Sequence, residues 1–386
     1  MTAITRRIAL FLYGLTGGGV PRRTVALANA FCAQGDAVDL VVLDAANPWG
    51  LPLDPSIRVI SLATWRTALP FLRTKRRRQF AAACPALERY LIREAPSALI
   101  SADNYANLTA LDARRRARAP VPVIVTQRTH TSTYAKGKAA LLRRLRETYP
   151  QADAVVGVST EIVEDLVLLG VPRELTRTIH NPVIGEDFDE IAARPVDHPW
   201  FQPGEPPVIL GVGRIGPQKD FPCLIRAFAR VRQHRPELRL VILGEAKTPA
   251  SREELVALAR DLEIADAVDL PGAVAQAIPY MARAGLFALS SRWEGMPGAL
   301  IEALACGTPV VSTDCPSGPD EVLESGRYGG LAPVGDAAAL AAVMVENLDL
   351  PPDRASRIAR GRRFSVARAL ADYAALADTL SRGGSA

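Results

Sequence analysis

Short runs of branched aliphatic residues, each followed by a longer stretch with apolar residues three and four apart, recur along most of this chain. "RIALFLYG", "AVDLVVLD", "IRVISLA", "SALISAD", "VPVIVTQR" and "ADAVVGVS" are the strand candidates of the first half. "PPVILGVG", "LRLVILG", "AVDLPG", "AGLFALSS" and "TPVVSTD" are those of the second. Stretches between them, such as "FPCLIRAFARVRQ" and "REELVALARDLEI", carry helical spacing. Near-continuous apolar strands separated by helices predict parallel sheets covered on both faces. The pattern occurs twice, so each half is expected to be a doubly wound α/β domain.

The boundary shows in composition. Residues 184–207, "IGEDFDEIAARPVDHPWFQPGEPP", are rich in acids and prolines and poor in periodicity, and read as a linker. This divides the chain into an amino-terminal domain at 1–190 and a carboxy-terminal domain at 191–361. The last periodic stretch, "RGRRFSVARALADYAALADTL", reads as one helix at about 362–382, capped by Ser365. A chain of 386 residues is long enough for both domains to bury cores of their own.

Five scattered cysteines without metal spacing suit a reducing cytoplasm better than a disulfide framework. No apolar run approaches the length of a bilayer span. "RRIALFLYGLTGGGV" imitates a signal peptide, but lacks a small-x-small cleavage pattern and reads as a buried first strand. Charge is uneven: 25 Lys+Arg stand against 14 Asp+Glu in residues 1–180, and 21 against 27 in the rest. "RTKRRRQ", "RRRAR" and "LLRRLRETY" are ordinary solvated faces or the footprint of an anionic partner: nucleic acid, a phosphorylated acceptor or a membrane surface. "KGKAALLRRLR", Lys136 to Arg146, is the best surface-binding amphipathic helix.

Two stretches of the second half carry chemistry. After "PPVILGVG" the chain contains G-x-G-x-x-G, with Gly211, Gly213 and Gly216. Glu245 lies near the acidic position a dinucleotide site requires, so a nicotinamide or flavin enzyme stays open at this point. Pro217 and the pair Arg214 and Lys219 point elsewhere, to a diphosphate clamped by two cations. In "SSRWEGMPGALIEALACGTPVVSTDCPSGP" a helix is predicted from Pro297 to Cys306, ended by Gly307. It begins directly after a strand, and its first amides make an anion site. Glu294 and Glu302 would repel a phosphate there. They suit hydroxyls, of a sugar and of a ribose.

"EGMPGALIE" resembles the E-x7-E motif of glycosyltransferase family 4, retaining GT-B enzymes that use nucleotide sugars. The likeness runs through "GVGRIGPQKDFPCLIRAFARV", "VVGVSTEIVEDL", "IHNPV" and "ALACGTPVVSTDCPSGPDEVLESGRYGGLAPVGD". It implies two Rossmann-like domains facing a central cleft, with the carboxy-terminal helix crossing back to the first. It implies that Arg214 and Lys219 hold the donor diphosphate, Glu302 the ribose and Glu294 the transferred sugar. The amides of Met296, Pro297's neighbour Gly298, Ala299 and Leu300 would face sugar and phosphate, with Gly295 and Gly213 beside them. Val274 falls where such enzymes contact the base. Gly17, Gly18 and Gly19 of "TGGGVPR" resemble the glycine loop near donor and acceptor. His130 in "HTST", with Arg128 as its rival, is the acceptor-side candidate, to orient or deprotonate a hydroxyl.

The resulting expectation is a cytoplasmic retaining hexosyltransferase, peripheral on the inner face of the cell membrane. It would move sugar from a UDP-hexose or UDP-N-acetylhexosamine to a glycan or lipid-linked acceptor in bacterial surface polysaccharide synthesis. No nucleic acid, cofactor or essential metal is expected; "DFD", Asp187 to Asp189, is read as linker and not as a metal motif. The other classes are a nicotinamide-dependent oxidoreductase using Gly211 to Gly216 and a catalytically silent nucleotide-sugar or glycan-binding module.

Overall fold

The computed structural model describes residues 6–16, 18–48, 50–64, 76–246, 248–349 and 353–383. The chain forms two compact units, Met1–Pro182 with Val366–Ala386, and Val183–Ser365. The first holds a seven-stranded sheet of β1 (Arg7–Gly14), β2 (Ala37–Asp44), β3 (Arg58–Ser61), β4 (Ala98–Ala102), β5 (Val123–Gln127), β6 (Ala154–Gly157) and β7 (Thr176–Thr178). Its order is β3-β2-β1-β4-β5-β6-β7, parallel throughout. Strand β1 is flanked by β2 and β4, so the order reverses there. Helices that follow β1 and β4 leave in opposite directions across the sheet, and a crevice opens at the carboxyl ends.

The second unit repeats the plan with β8 (Val208–Val212), β9 (Arg239–Leu243), β10 (Val268–Gly272), β11 (Leu286–Leu289), β12 (Val310–Thr313) and β13 (Gly330–Ala332). The order is β10-β9-β8-β11-β12-β13, again parallel, with its reversal between β8 and β11. Leu10, Phe31, Val42, Ile100 and Ile124 sit in the first core, and Ile209, Phe228, Leu240, Leu286 and Val311 in the second. All ten are buried where the helices meet the sheets they cover, the reason the strands read as almost purely apolar. Strands β7 and β13 are three-residue edge strands, "TRT" and "GLA", with no aliphatic run to announce them.

The helix read at about 362–382 is Val366–Gly383, starting directly after Ser365, and a separate helix, Arg354–Arg362, precedes it. Between them the Phe364 carbonyl accepts the amides of Val183 (3.0 Å) and Ile184 (3.1 Å), and Ser365 bridges Ile184. A continuous helix would bury that carbonyl in its own ladder. Beyond the break, Ala369, Tyr373, Ala374 and Ala377 form the apolar stripe of Val366–Gly383 and join the first unit's core. Tyr373 meets Thr126 at 3.2 Å, and the Ser381 hydroxyl donates to the Ser97 carbonyl at 3.0 Å.

The acidic linker is not featureless. It contains the helix Phe188–Ala193, and Asp189 accepts two bonds from Arg362 at 2.6 and 2.7 Å. All five cysteines are free thiols. Among the described residues no helix is long and apolar enough to cross a membrane.

Candidate active site

Every chemistry-bearing residue singled out in the second half of the sequence lies in the second unit, at or beyond the carboxyl ends of its strands. Gly213 leaves β8 at φ 154° and its amide donates to the Leu243 carbonyl at 2.9 Å. Two residues on, the Ile215 amide donates to the Glu245 carbonyl at 2.9 Å, so the loop runs alongside the end of β9. A Cβ on Gly213 would stand 2.5 Å from Lys219 Cε, and one on Gly244 (φ 157°) would strike the Gly213 carbonyl. These two glycines therefore let the loops nest and let the Lys219 stem cross over the backbone. Arg214, next to Gly213, is exposed and has no hydrogen-bond or ion-pair partner among the described residues.

The dinucleotide turn is not formed. In such a turn the third glycine packs a helix against the strand. Here the helix Phe221–Arg232 opens five residues after Gly216, and a Cβ on Gly216 would meet nothing within 4 Å.

Glu294 lies in the loop after β11 and is 7% exposed. Its Oε1 accepts the Lys219 ammonium at 2.7 Å and the Ser291 hydroxyl at 2.7 Å. Gln218 Nε2 donates to the Trp293 carbonyl at 3.1 Å and reaches Glu294 Oε2 at 3.5 Å. Expected to hold different parts of a donor, Lys219 and Glu294 are brought onto each other, across the loops that flank the reversal between β8 and β11. The pairing leaves chemistry in hand. An ammonium has three donors and spends one, and Glu294 Oε2 keeps an acceptor for a hydroxyl.

The loop is held from behind. Ser290 donates to the Lys219 carbonyl (2.7 Å), Thr313 to the Ser291 carbonyl (2.6 Å), and Ser317 to the Glu294 (3.1 Å) and Gly295 (3.0 Å) carbonyls. Gly318, at φ 102°, lies under the turn: a Cβ there would be 2.5 Å from Pro297 Cδ. Arg292 is tied to Asp220 at 2.7 Å, fixing the same two loops at their outer edge. Burial, with Glu294 alongside, pushes the Cys315 thiol up.

Helix Gly298–Ala305 starts at Pro297, which caps it with no side-chain bond. The Ile301 amide is the first to find an acceptor, the Pro297 carbonyl at 3.2 Å. The amides of Gly298, Ala299 and Leu300 have no acceptor among the described residues, as a helix start requires. Gly295, Met296 and Pro297 are buried beneath that start, and Glu302 is half-buried on the helix. Val274 follows β10, whose last carbonyl, Gly272, accepts the Gly244 amide at 2.8 Å. The Glu245 side chain is exposed at the end of β9.

In the first unit the expected acceptor-side residues follow β5. Arg128 donates to Asn181 Oδ1 at 3.1 Å, and burial pulls its guanidinium below the ordinary value. His130 precedes the short helix Thr131–Tyr134, and its Nδ1 meets Thr133 Oγ1 at 3.1 Å. Asp165, which the sequence did not single out, holds that helix. It is buried and accepts the amides of Thr131 (2.7 Å) and Ser132 (3.1 Å) and the Ser132 hydroxyl. Gly18 and Gly19 are exposed at the start of helix Gly19–Ala33, Gly18 at φ 111°. Gly17 lies outside the described residues.

Two all-parallel units, each with its strand order reversed near the middle of the sheet, define the GT-B fold class. The family models agree in both halves: "Glycosyltransferase Family 4" matches residues 17–184 and "Glycosyl transferases group 1" matches residues 197–364. The chain belongs to this glycosyltransferase family.

Among curated proteins it is 34% identical, over 187 residues, to the N-acetylgalactosamine-N,N'-diacetylbacillosaminyl-diphospho-undecaprenol 4-alpha-N-acetylgalactosaminyltransferase of Campylobacter jejuni subsp. jejuni. That match covers 48% of this chain and 48% of the relative. The lipopolysaccharide 1,6-galactosyltransferase of Escherichia coli K12 is 28% identical over 261 residues, 66% of either chain. The likeness thus spans about half the length of the first relative and just under two thirds of the second. A solved structure of Anabaena Alr3699/HepE in complex with UDP superimposes with TM-score 0.77 at 20% identity, covering 98% of this chain and 100% of that one.

Proposed function

We propose that this chain transfers a hexose from a nucleotide sugar to a hydroxyl of a glycan or lipid-linked acceptor, with retention, in the synthesis of a bacterial surface polysaccharide. The observation that carries this reading is the exposed Arg214, without a partner among the described residues, on the same loop as Lys219 of the Lys219–Glu294 pair, with the open amides of helix Gly298–Ala305 following Glu294. Breaking the anomeric C–O bond leaves negative charge on the departing diphosphate. On this reading Arg214, the two remaining Lys219 donors and the helix amides stabilise that charge as it grows, which is where stabilisation accelerates a reaction. The same cations fill the role a metal would play, so transfer is expected to survive chelation.

Glu294 Oε2 takes a hydroxyl of the transferred sugar, Glu302 the ribose, and Val274 and Glu245 border the base. Family membership and the bacterial relatives support this reading, and the UDP complex of HepE supports UDP as the carrier. On the acceptor side, His130 or Arg128 orients the attacking hydroxyl, which approaches from the face the leaving group departs. The basic first half, with helix Ala139–Thr148, suits an anionic membrane surface at the inner face of the cell membrane.

A thermal-shift and calorimetric screen of UDP-, GDP- and ADP-sugars tests the donor. UDP-hexoses or UDP-N-acetylhexosamines are expected to bind, and Arg214→Ala to weaken them. Binding of none of these nucleotides, or of NADH instead, overturns the reading. Co-sedimentation with phosphatidylglycerol vesicles at low salt tests the membrane partner, and no binding there confines the basic half to a soluble acceptor.

A further inference from the structure

Among the described residues Arg360 is the one lysine or arginine as little as 8% exposed. It projects from helix Arg354–Arg362 and spends its guanidinium on a second, much shorter helix, Pro319–Leu323. Nε donates to the Val322 carbonyl at 2.9 Å, Nη2 donates to the Glu321 carbonyl, and Nη1 pairs with Glu324 at 2.7 Å. These three acceptors are the last turn of that helix and its cap, where a cation is favoured. The rings of Tyr328 and Phe364 lie 5.7 and 5.0 Å from the same group.

Helix Arg354–Arg362 also closes the end of helix Gly298–Ala305. Arg357 Nε donates to the Gly307 carbonyl at 3.0 Å, and a Cβ on Gly361 would stand 2.4 Å from the Ala305 nitrogen. Two helices are thus held at their carboxyl ends by one. At their amino ends they meet each other: Gly318 packs under Pro297, and the Ser317 hydroxyl holds the Glu294 and Gly295 carbonyls. Ser317 is fully buried at φ 62°, a left-handed conformation that serine keeps only where its surroundings enforce it.

A methionine would fill the place of Arg360 without the cost of taking a charge out of water. What packing does not supply is direction. Bonds leaving one rigid plane fix the rotation of the short helix as well as its position. At five residues that helix is about 7.5 Å long, so a shift at its end reaches its start.

We propose that Arg360 is a positioning residue of the transfer site: by holding the carboxyl end of helix Pro319–Leu323 it sets Ser317 and Gly318, and through them Glu294 and the first amides of helix Gly298–Ala305. For donor binding this rests on the transferase reading above; for the placement of the Glu294 loop it does not.

Trp293 precedes Glu294 and reports on that loop. Its indole N–H resonance, assigned with Trp293→Phe, is followed in the full chain without ligand. Arg360→Met is expected to move it, and Arg360→Lys, which keeps the charge without the fork, to move it less. Leu340→Ala opens the core of the same unit and takes part in none of these bonds, so it should lower the thermal midpoint and leave the resonance in place. Calorimetry with UDP should show affinity falling about tenfold or more in Arg360→Met, less in Arg360→Lys and not in Leu340→Ala, the scale on which a small misplacement of binding groups is felt. If Arg360→Met fails to fold, Arg360→Lys carries the test. The idea is wrong if the Trp293 resonance of the folded Arg360 variants coincides with the native one. It is equally wrong if Leu340→Ala moves the resonance and weakens UDP as much as they do, since Arg360 would then serve stability alone. Failure of UDP to bind the native chain removes the donor reading and leaves the Trp293 resonance to decide on Arg360.

Discussion

Lys219 and Glu294 meet at 2.7 Å with side chains only 16% and 9% exposed, so the principal cation and the principal carboxylate of the second unit neutralise each other. Removing one member of a buried pair leaves the other charge without compensation. Ser291 and Gln218 still hold the carboxylate, which softens the loss. Lys219→Ala is expected to cost about 2 kcal/mol of stability, below the full cost for an isolated buried pair. Lys219→Met with Glu294→Gln should recover part of it. Urea denaturation of the single and double variants reads both; a cost indistinguishable from zero would mean the pair is solvated.

Arg214 has the opposite character. It is exposed and has no hydrogen-bond or ion-pair partner among the described residues, so Arg214→Ala should leave stability within about 0.5 kcal/mol. Under the proposed function its loss removes a charge-assisted contact to the donor diphosphate worth about 1.5–3 kcal/mol, or roughly 10- to 150-fold in UDP affinity. Arg214→Lys should restore only part, because an ammonium lacks the planar fork. Calorimetric titration with UDP decides it, and an unchanged affinity would place the phosphate elsewhere.

Gly244 and Gly216 give a matched pair. An alanine at Gly244 collides with the Gly213 carbonyl at a positive φ, whereas Gly216 opens on empty space. Gly244→Ala is expected to destabilise by about 2 kcal/mol or more and to disturb Arg214 and Lys219 with it. Gly216→Ala should be close to silent in both melting and UDP binding. Equal effects from the two would show that the nesting of the loops is not what positions the cations.

Acid should act on the first unit through Asp39. This carboxylate is fully buried, which alone would raise its pKa. Bonds from Arg58 at 2.7 Å and from Tyr90 at 2.7 Å, with Arg7 nearby, outweigh burial and hold it below the ordinary carboxylate value. A carboxyl depressed in the folded state contributes stability above its unfolded pKa of ~3.9, and that contribution disappears as pH falls through the folded value. The native urea midpoint should therefore drop steeply below ~pH 4. That of Asp39→Asn should start lower and drop less. Parallel curves for the two proteins would absolve Asp39.

Much of this architecture can be read before any coordinates are seen, and the reason is the burial of both sheet faces. Strands such as "VPVIVTQR" and "AGLFALSS" are apolar at every position that matters, and turn chemistry delimits them. The short edge strands "TRT" and "GLA" are not legible, because an edge needs neither hydrophobicity nor length. Ser365 marks where the last helix starts, but what fixes the break at Phe364 is hidden for another reason: it depends on Val183 and Ile184, about 180 residues earlier, needing its carbonyl.

At the site, the positions of Arg214, Lys219, Glu294 and the helix start are marked by residue types that packing does not call for. Their mutual commitment is not marked. Ser291 and Ser317 look like any loop serines until their hydroxyls are seen bracing Glu294. Asp165 escapes for the same reason, since an acid beside a helix start is common and its purpose depends on what faces it.

The helix Val366–Gly383 places Ala369, Tyr373, Ala374 and Ala377 in a core whose other buried members come from the first 180 residues. On the ribosome, the part of the polypeptide made earliest must wait, its hydrophobic floor open, until an entire second unit has been synthesised. Completion therefore runs against the order of translation, and the exposed interval is when this protein would be most in need of a chaperone.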